Sequence, residues 1–269
     1  MEQGQEERIQ RTERIRGSDT NRDYCSARTR ISLPNRMIIS GFQPLSLLDY
    51  PGIICSIVFT QGCPFRCVYC HNPELIPAQV ADANKVLKEE DVLEHLNRRK
   101  NIVEGVCITG GEPTVHPDLL DFIKKVKRLG MLVKLDTNGL TPRMIEKLIK
   151  ERLVDFFAMD LKHTWERYSE VIGINQKNAI DNCRETFHLI QESSVPHEFR
   201  TTVYSGFHEK EDLEEIAGQL REGERYALQE IRYGKTLNPT LARTEPLNLE
   251  DIAKDLRVKR PDLEIEVRT

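Results

Sequence analysis

Long apolar runs are missing from this chain of 269 residues, and no stretch approaches the roughly 20 consecutive apolar residues that a membrane helix needs. The opening segment, MEQGQEERIQRTERIRG, has no apolar core, which excludes a secretory signal. A bias of charge is missing too. The formal net charge is −4, so nothing favours general nucleic-acid binding. No internal repeat and no low-complexity segment interrupts the domain. The histidines His95, His116, His163, His188, His197 and His208 are dispersed, with no HxxxH pair and no Ser–His–Asp arrangement, and each reads as a surface or capping residue. These absences predict a cytoplasmic protein with neither a nucleic-acid nor a membrane partner. What is present suits one sizeable globular domain, or at most two small ones: 39% hydrophobic and 30% charged residues.

Residues 1–36 stand apart, rich in Arg, Glu, Gln and Ser, and read as a disordered extension. Met37 opens the first apolar segment, so a start codon assigned too early is the other reading. The domain is expected over residues 37–269. Ile53 to Phe59 (IICSIVF) is a β-branched run that predicts a buried strand. Further strands are expected at 106–109, 131–135, 154–158, 198–204 and 227–231. Helices are expected between them at 89–100, 117–129, 142–152, 178–192 and 211–221, with Thr141 and Pro142 as N-cap and first helical residue. Segments 249–259 and 263–267 finish the chain. Strands alternating with helices predict a parallel sheet with right-handed crossovers. Six units fall short of the eight of a closed barrel. The fold expected is α/β, a partial (β/α)6 TIM-like open barrel.

Seven cysteines is an odd count, and three of them crowd into one loop, Gly62-Cys63-Pro64-Phe65-Arg66-Cys67-Val68-Tyr69-Cys70-His71-Asn72-Pro73. In a reducing compartment such crowding favours metal binding over disulfides. A [4Fe–4S] cluster usually takes four cysteines. Here three are offered, so one iron would be left for an external ligand. Zinc through Cys63, Cys67, Cys70 and His71 is a second reading, although adjacent residues such as Cys70 and His71 rarely both reach one tetrahedral ion. Unrelated structural cysteines are a third.

CxxxCxxC with Tyr69 before the last cysteine resembles the signature loop of the radical S-adenosylmethionine superfamily. The resemblance implies that a reduced cluster on Cys63, Cys67 and Cys70 cleaves S-adenosylmethionine to methionine and a 5′-deoxyadenosyl radical. It also implies that Tyr69 packs against adenine. Other short motifs follow the expected strands. Gly110-Gly111-Glu112-Pro113 alone means a turn; by resemblance it receives the amino group of the cofactor, with Glu112 at the family's acidic position. Asp136-Thr137-Asn138-Gly139 alone reads as an Asx turn, and Asp160-Leu161-Lys162 alone says little. Arg200 within its strand would ordinarily be a surface or ion-pair residue. Together, these segments fall at or near successive strand ends, which in a barrel-like fold converge on one mouth. Lys162 and Arg200 suit a carboxylate there, and Asp136 and Asp160 suit the ribose, the sulfonium or a cation.

The order of motifs is similar to one branch, the glycyl-radical-enzyme activating enzymes. Gly41-Phe42-Gln43, Asp49-Tyr50-Pro51-Gly52, Ala227-Leu228-Gln229 and Gly234-Lys235-Thr236 are similar to its anaerobic ribonucleoside-triphosphate reductase activating proteins of the pyruvate formate-lyase-activating type. The resemblance spans about residues 38–240. It implies a glycyl radical enzyme as partner, a flavodoxin or ferredoxin as electron donor, and a monovalent cation beside Asp136, Thr137 and Asp160. Cys25, Cys55, Cys107 and Cys183 are scattered, with Cys55 and Cys107 in apolar strands as core thiols, so a single cluster is expected. Two other functions remain open at this point: radical chemistry on a small molecule or nucleoside, and a non-catalytic iron–sulfur or zinc module.

Overall fold

The computed structural model describes residues 36–174, 177–233, 236–238, 241 and 243–269. All of the expected N-terminal extension except Arg36 lies outside the described residues, as do Cys25, Gly234 and Lys235.

Eight strands form one sheet in sequence order. β1 (Ile39–Ser46) runs antiparallel to β2 (Cys55–Thr60). From β2 on, every neighbour is parallel: β3 (Gly105–Gly110), β4 (Leu132–Thr137), β5 (Phe156–Asp160), β6 (His197–Val203), β7 (Arg225–Glu230) and β8 (Glu264–Arg268). Among the described residues β1 and β8 do not pair, so the barrel stays open. The six expected strands are β2 to β7. β1 and β8 flank them, and β1 was not legible: ISGFQPLS carries Gly41 and Pro44, and most of it is half-buried or exposed.

Helices cross between the parallel strands. They are α1 (Glu89–Arg99), α2 (Leu119–Arg128), α3 (Pro142–Lys150), the short α4 (Tyr168–Ile172), α5 (Lys177–Glu192), α6 (Lys210–Gly218) and α7 (Leu249–Lys259). α2 shows why they form. Leu119, Phe122, Ile123 and Val126 recur at helical spacing and are buried, and Lys125, Lys127 and Arg128 sit in the last turn, where the helix dipole favours cations. Thr141 is the N-cap of α3 and Pro142 its first residue, as expected, although the Thr141 side chain makes no capping bond. No helix among the described residues is long and apolar enough to cross a membrane.

The main core lies between the helices and one face of the sheet, and includes Val58, Ile108, Val133, Phe157 and Phe199. The opposite face is the barrel lumen. A small apolar group of Tyr50, Cys55, Ile57, Cys107 and Phe156 fills it toward the strand N-termini. Register then sets what lies above. Ile57, Cys107, Lys134 and Phe156 are neighbours across β2 to β5, and Asp136, Ala158 and Glu198 across β4 to β6. Asp160, Arg200 and Ala227 follow one step nearer the strand C-termini.

Two stacked histidines support that rim from behind. His163 and His208 stack with ring centroids 4.8 Å apart. His208 Nδ1 accepts from the Tyr204 N–H at 3.1 Å, so its Nε2–H donates to the Lys162 carbonyl at 2.8 Å. Burial, then the charge that His163 would carry, push His208 down from 6.5 to about 4. The unfolded chain therefore takes up this proton first as the pH falls. The contribution of neutral His208 is complete above about 6.5 and is lost between about 6.5 and 4, worth on the order of 3 kcal/mol. Anaerobic urea titrations across that window are expected to show a steeper fall in stability for the natural protein than for His208→Gln, and equal slopes would contradict the assignment.

Candidate active site

The cysteine loop is held by backbone bonds along its length. Gly62 N–H donates to Leu75 O at 2.7 Å, Cys63 N–H to Ile76 O at 3.0 Å, and Arg66 N–H to Ile172 O at 2.8 Å. From the other side, Leu237 N–H reaches Cys70 O at 3.2 Å and Asn238 N–H reaches Val68 O at 3.0 Å. The Arg66 guanidinium caps the Cys63 and Phe65 carbonyls at 2.7 Å each. Cys67 is buried, Cys63 and Cys70 are half-buried, and none is in a disulfide. Burial is the main cause that pushes all three thiols up, Cys67 to about 11. A bound metal centre would deprotonate them, since cysteine ligates as thiolate.

Among the described residues no three His, Cys, Asp or Glu side chains stand close enough to hold a single ion. His71 Nε2 instead accepts the Arg232 N–H at 3.1 Å, which removes it from a zinc set. A cubane spreads its ligands wider than one ion does, and three uncrosslinked thiols on one braced loop fit it. One further feature fits a ligand beside that loop. The Tyr69 hydroxyl is buried with no hydrogen-bond partner, which is costly for a polar group that stays empty. Gly111 presses so close to the loop that a Cβ there would meet Gly62 O at 2.3 Å and Leu75 O at 2.8 Å.

Glu112 bolts the neighbouring strand ends to this loop. Its N–H donates to Gly62 O at 2.8 Å. Its buried carboxylate accepts from Thr114 N–H at 3.1 Å, Thr114 Oγ1 at 2.5 Å, Thr137 Oγ1 at 2.8 Å and Asn138 N–H at 2.6 Å. Burial pushes its pKa up against those four donors. Both oxygens of Glu112 and the Thr137 hydroxyl are thus occupied within the protein.

Asp136, Asp160, Lys162 and Arg200 come together as expected, in a larger ladder. Lys162 Nζ lies 2.9 Å from Asp160 Oδ2. Arg200 Nε lies 2.9 Å from Asp160 Oδ1, and its Nη1 lies 3.2 Å from Asp136 Oδ2. Lys134 Nζ lies 2.5 Å from Asp136 Oδ1. Glu198 stands 3.9 Å from both Lys134 and Arg200, and Arg268 grips it with contacts of 3.2 and 2.7 Å. Burial would raise Asp136 and Asp160, but Arg200 and the neighbouring lysines hold both carboxyls below the usual range. Burial would likewise lower Lys162, and Asp160 holds it up. Lys134, Glu198 and Arg268 were missed from the sequence. The signal was there: Lys134/Asp136, Asp160/Lys162, Glu198/Arg200 and Glu266/Arg268 are opposite charges two residues apart, on one face of a strand or its immediate continuation.

The profile of the Radical SAM superfamily matches residues 57–220. A protein of Methanocaldococcus jannaschii that bears the name of a glycyl-radical enzyme activating enzyme is 31% identical over 202 residues, 73% of this chain and 80% of that protein. The pyruvate formate-lyase-activating enzyme of Clostridium pasteurianum is 28% identical over 236 residues, 84% and 94% of the two chains. Among solved structures, Streptococcus suis SuiB with its precursor peptide SuiA superposes with a TM-score of 0.62 at 16% identity, over 79% of this chain and 48% of SuiB. This chain spans about half the length of SuiB, and that likeness concerns the fold.

Removing Arg268 would leave the buried Glu198 carboxylate to compete with Asp136 for Arg200 and Lys134. Arg268→Met is expected to destabilise the protein by about 1–3 kcal/mol, read as a lower urea midpoint, and Arg268→Lys to recover part of the loss. An unchanged midpoint in Arg268→Met would show that β8 does not support the ladder.

Proposed function

The chain belongs to the radical SAM superfamily, and on that basis we propose that it activates a glycyl radical enzyme, with anaerobic ribonucleoside-triphosphate reductase as the specific partner. Cys63, Cys67 and Cys70 would hold a [4Fe–4S] cluster, which would supply the electron for reductive cleavage of S-adenosylmethionine and so the means to take a hydrogen atom from a glycine Cα. The observation that carries this reading is the juxtaposition of the cysteine loop with the end of β3, where Gly111 lies against Gly62 and Glu112 bonds to it.

The residues of the chain divide the work by charge and shape. Gly110 and Gly111 present backbone to the cofactor's amino group. Lys162 and Arg200 offer donors to its carboxylate. Asp136 and Asp160 would face its ribose and sulfonium, and the Tyr69 ring would cover adenine. Glu112 holds Thr137 and Asn138 in place behind them. A monovalent cation beside Asp136, Thr137 and Asp160 would have to compete with Arg200, which already reaches both carboxylates. No acid–base side chain is required for hydrogen-atom transfer, only a close approach of the reacting carbons in a dry pocket. Among the described residues β1 and β8 do not pair with each other, which would leave the barrel open to a peptide loop carrying the glycine. The curated relatives support this role through their names, and the electron would come from a flavodoxin or ferredoxin.

The test is anaerobic. Reduced, cluster-loaded protein is mixed with S-adenosylmethionine and the ribonucleoside-triphosphate reductase of the same cell. A glycyl radical signal in electron paramagnetic resonance is expected, and the Cys63, Cys67, Cys70→Ala triple variant should abolish it. Cleavage of S-adenosylmethionine without a protein radical would move the substrate to a small molecule or nucleoside. Zinc without iron and sulfide after anaerobic purification would reduce the chain to a binding module.

A further inference from the structure

Asn138 follows β4 and is fixed on three sides. Its N–H donates to Glu112 Oε2 at 2.6 Å. Its side-chain oxygen accepts the Leu140 N–H at 3.0 Å. Its carbonyl accepts from the Cys183 thiol at 3.4 Å. The bond to Leu140 decides which end of the amide is oxygen, because a backbone N–H needs an acceptor. The amide nitrogen is thereby turned the other way, and Nδ2 lies 3.7 Å from Cys63 Sγ, within hydrogen-bond reach for sulfur. The side chain is buried, so bulk water competes poorly for this donor.

We infer that the Asn138 side-chain amide tunes the reduction potential of the centre held by the loop, by donating a hydrogen bond to the Cys63 sulfur. The inference rests on the proposed cluster. A reduced iron–sulfur centre carries one more negative charge than the oxidised one, and part of it resides on the cysteine sulfurs. A donor aimed at one sulfur stabilises the reduced form more, and so raises the potential. The Phe65 and Asn72 N–H groups also address the Cys63 and Cys70 sulfurs, but they belong to the backbone and no side-chain exchange removes them. Asn138 is different in kind. It sits outside the cysteine loop, and its position depends on Glu112, which also braces Thr114 and Thr137. The potential of the centre is therefore coupled to the strand-end scaffold that would hold the cofactor.

The experiment compares the full-length, cluster-loaded protein with Asn138→Asp and Asn138→Ser, by potentiometric titration followed by electron paramagnetic resonance, with iron and sulfide counted in each. Aspartate keeps an oxygen for Leu140 N–H and replaces the donor with a negatively charged oxygen. Serine keeps a short acceptor and removes the amide. Both variants are expected to hold as much iron and sulfide as the natural protein, with a midpoint shifted to more negative potential, further for aspartate than for serine. A loaded variant with an unchanged midpoint overturns the inference. If neither variant loads a cluster, it is also overturned, since Asn138 then serves to hold the loop. A natural protein that takes up no iron and sulfide would instead sink the functional reading on which the inference rests.

Discussion

Parallel pairing in sequence order is the constraint on which the rest depends. Because β2 to β8 all run the same way, each strand delivers its C-terminal residues to one rim, and the helices return the chain on the outside. The cysteine loop after β2, Gly110–Glu112 at the end of β3, Thr137–Asn138 at the end of β4 and Asp160–Lys162 at the end of β5 are far apart in sequence, and this pairing makes them neighbours. The close fit of Gly111 to Gly62, with Glu112 bonded across to Asn138, then locks three strand ends into one wall.

Electrostatics supply the opposite wall. Burying Lys134, Asp136, Asp160, Glu198 and Arg200 would cost heavily for any one of them alone. Each is offset by a partner within hydrogen-bond distance or close to it, in a ladder from Lys162 to Arg268. Such a ladder adds little net stability compared with apolar packing. What it provides is a set of donors and acceptors of both signs already desolvated at the rim. S-adenosylmethionine carries an amine, a carboxylate, a sulfonium and a ribose, and a site with one sign of charge would suit only part of it.

The sequence was most informative where periodicity and burial agreed. IICSIVF became β2, and the apolar spacing of 117–129 became α2. The edge strand β1 was hidden by Gly41, Pro44 and its exposed positions, and α4 is too short to show a period. At the site, Asp136, Asp160, Lys162 and Arg200 were each recognised singly, while Lys134 and Glu198 were passed over because a charge inside an apolar strand was not paired with the opposite charge two residues on. The distant partners of Glu112 were beyond reach of any local pattern, since Thr137 and Asn138 come to it through the β3–β4 register. Asn138 was legible as part of a turn, but its contact with Cys63 spans 75 residues.

The central claim is that three cysteines hold a cluster whose remaining iron takes the cofactor directly. Electron–nuclear double resonance on the reduced protein, mixed with S-adenosylmethionine carrying nitrogen-15 in its amino group, tests it most directly. A nitrogen-15 coupling to the cluster that shows the amine bound at an iron is the predicted result. A cluster signal unaffected by the labelled cofactor would contradict the account.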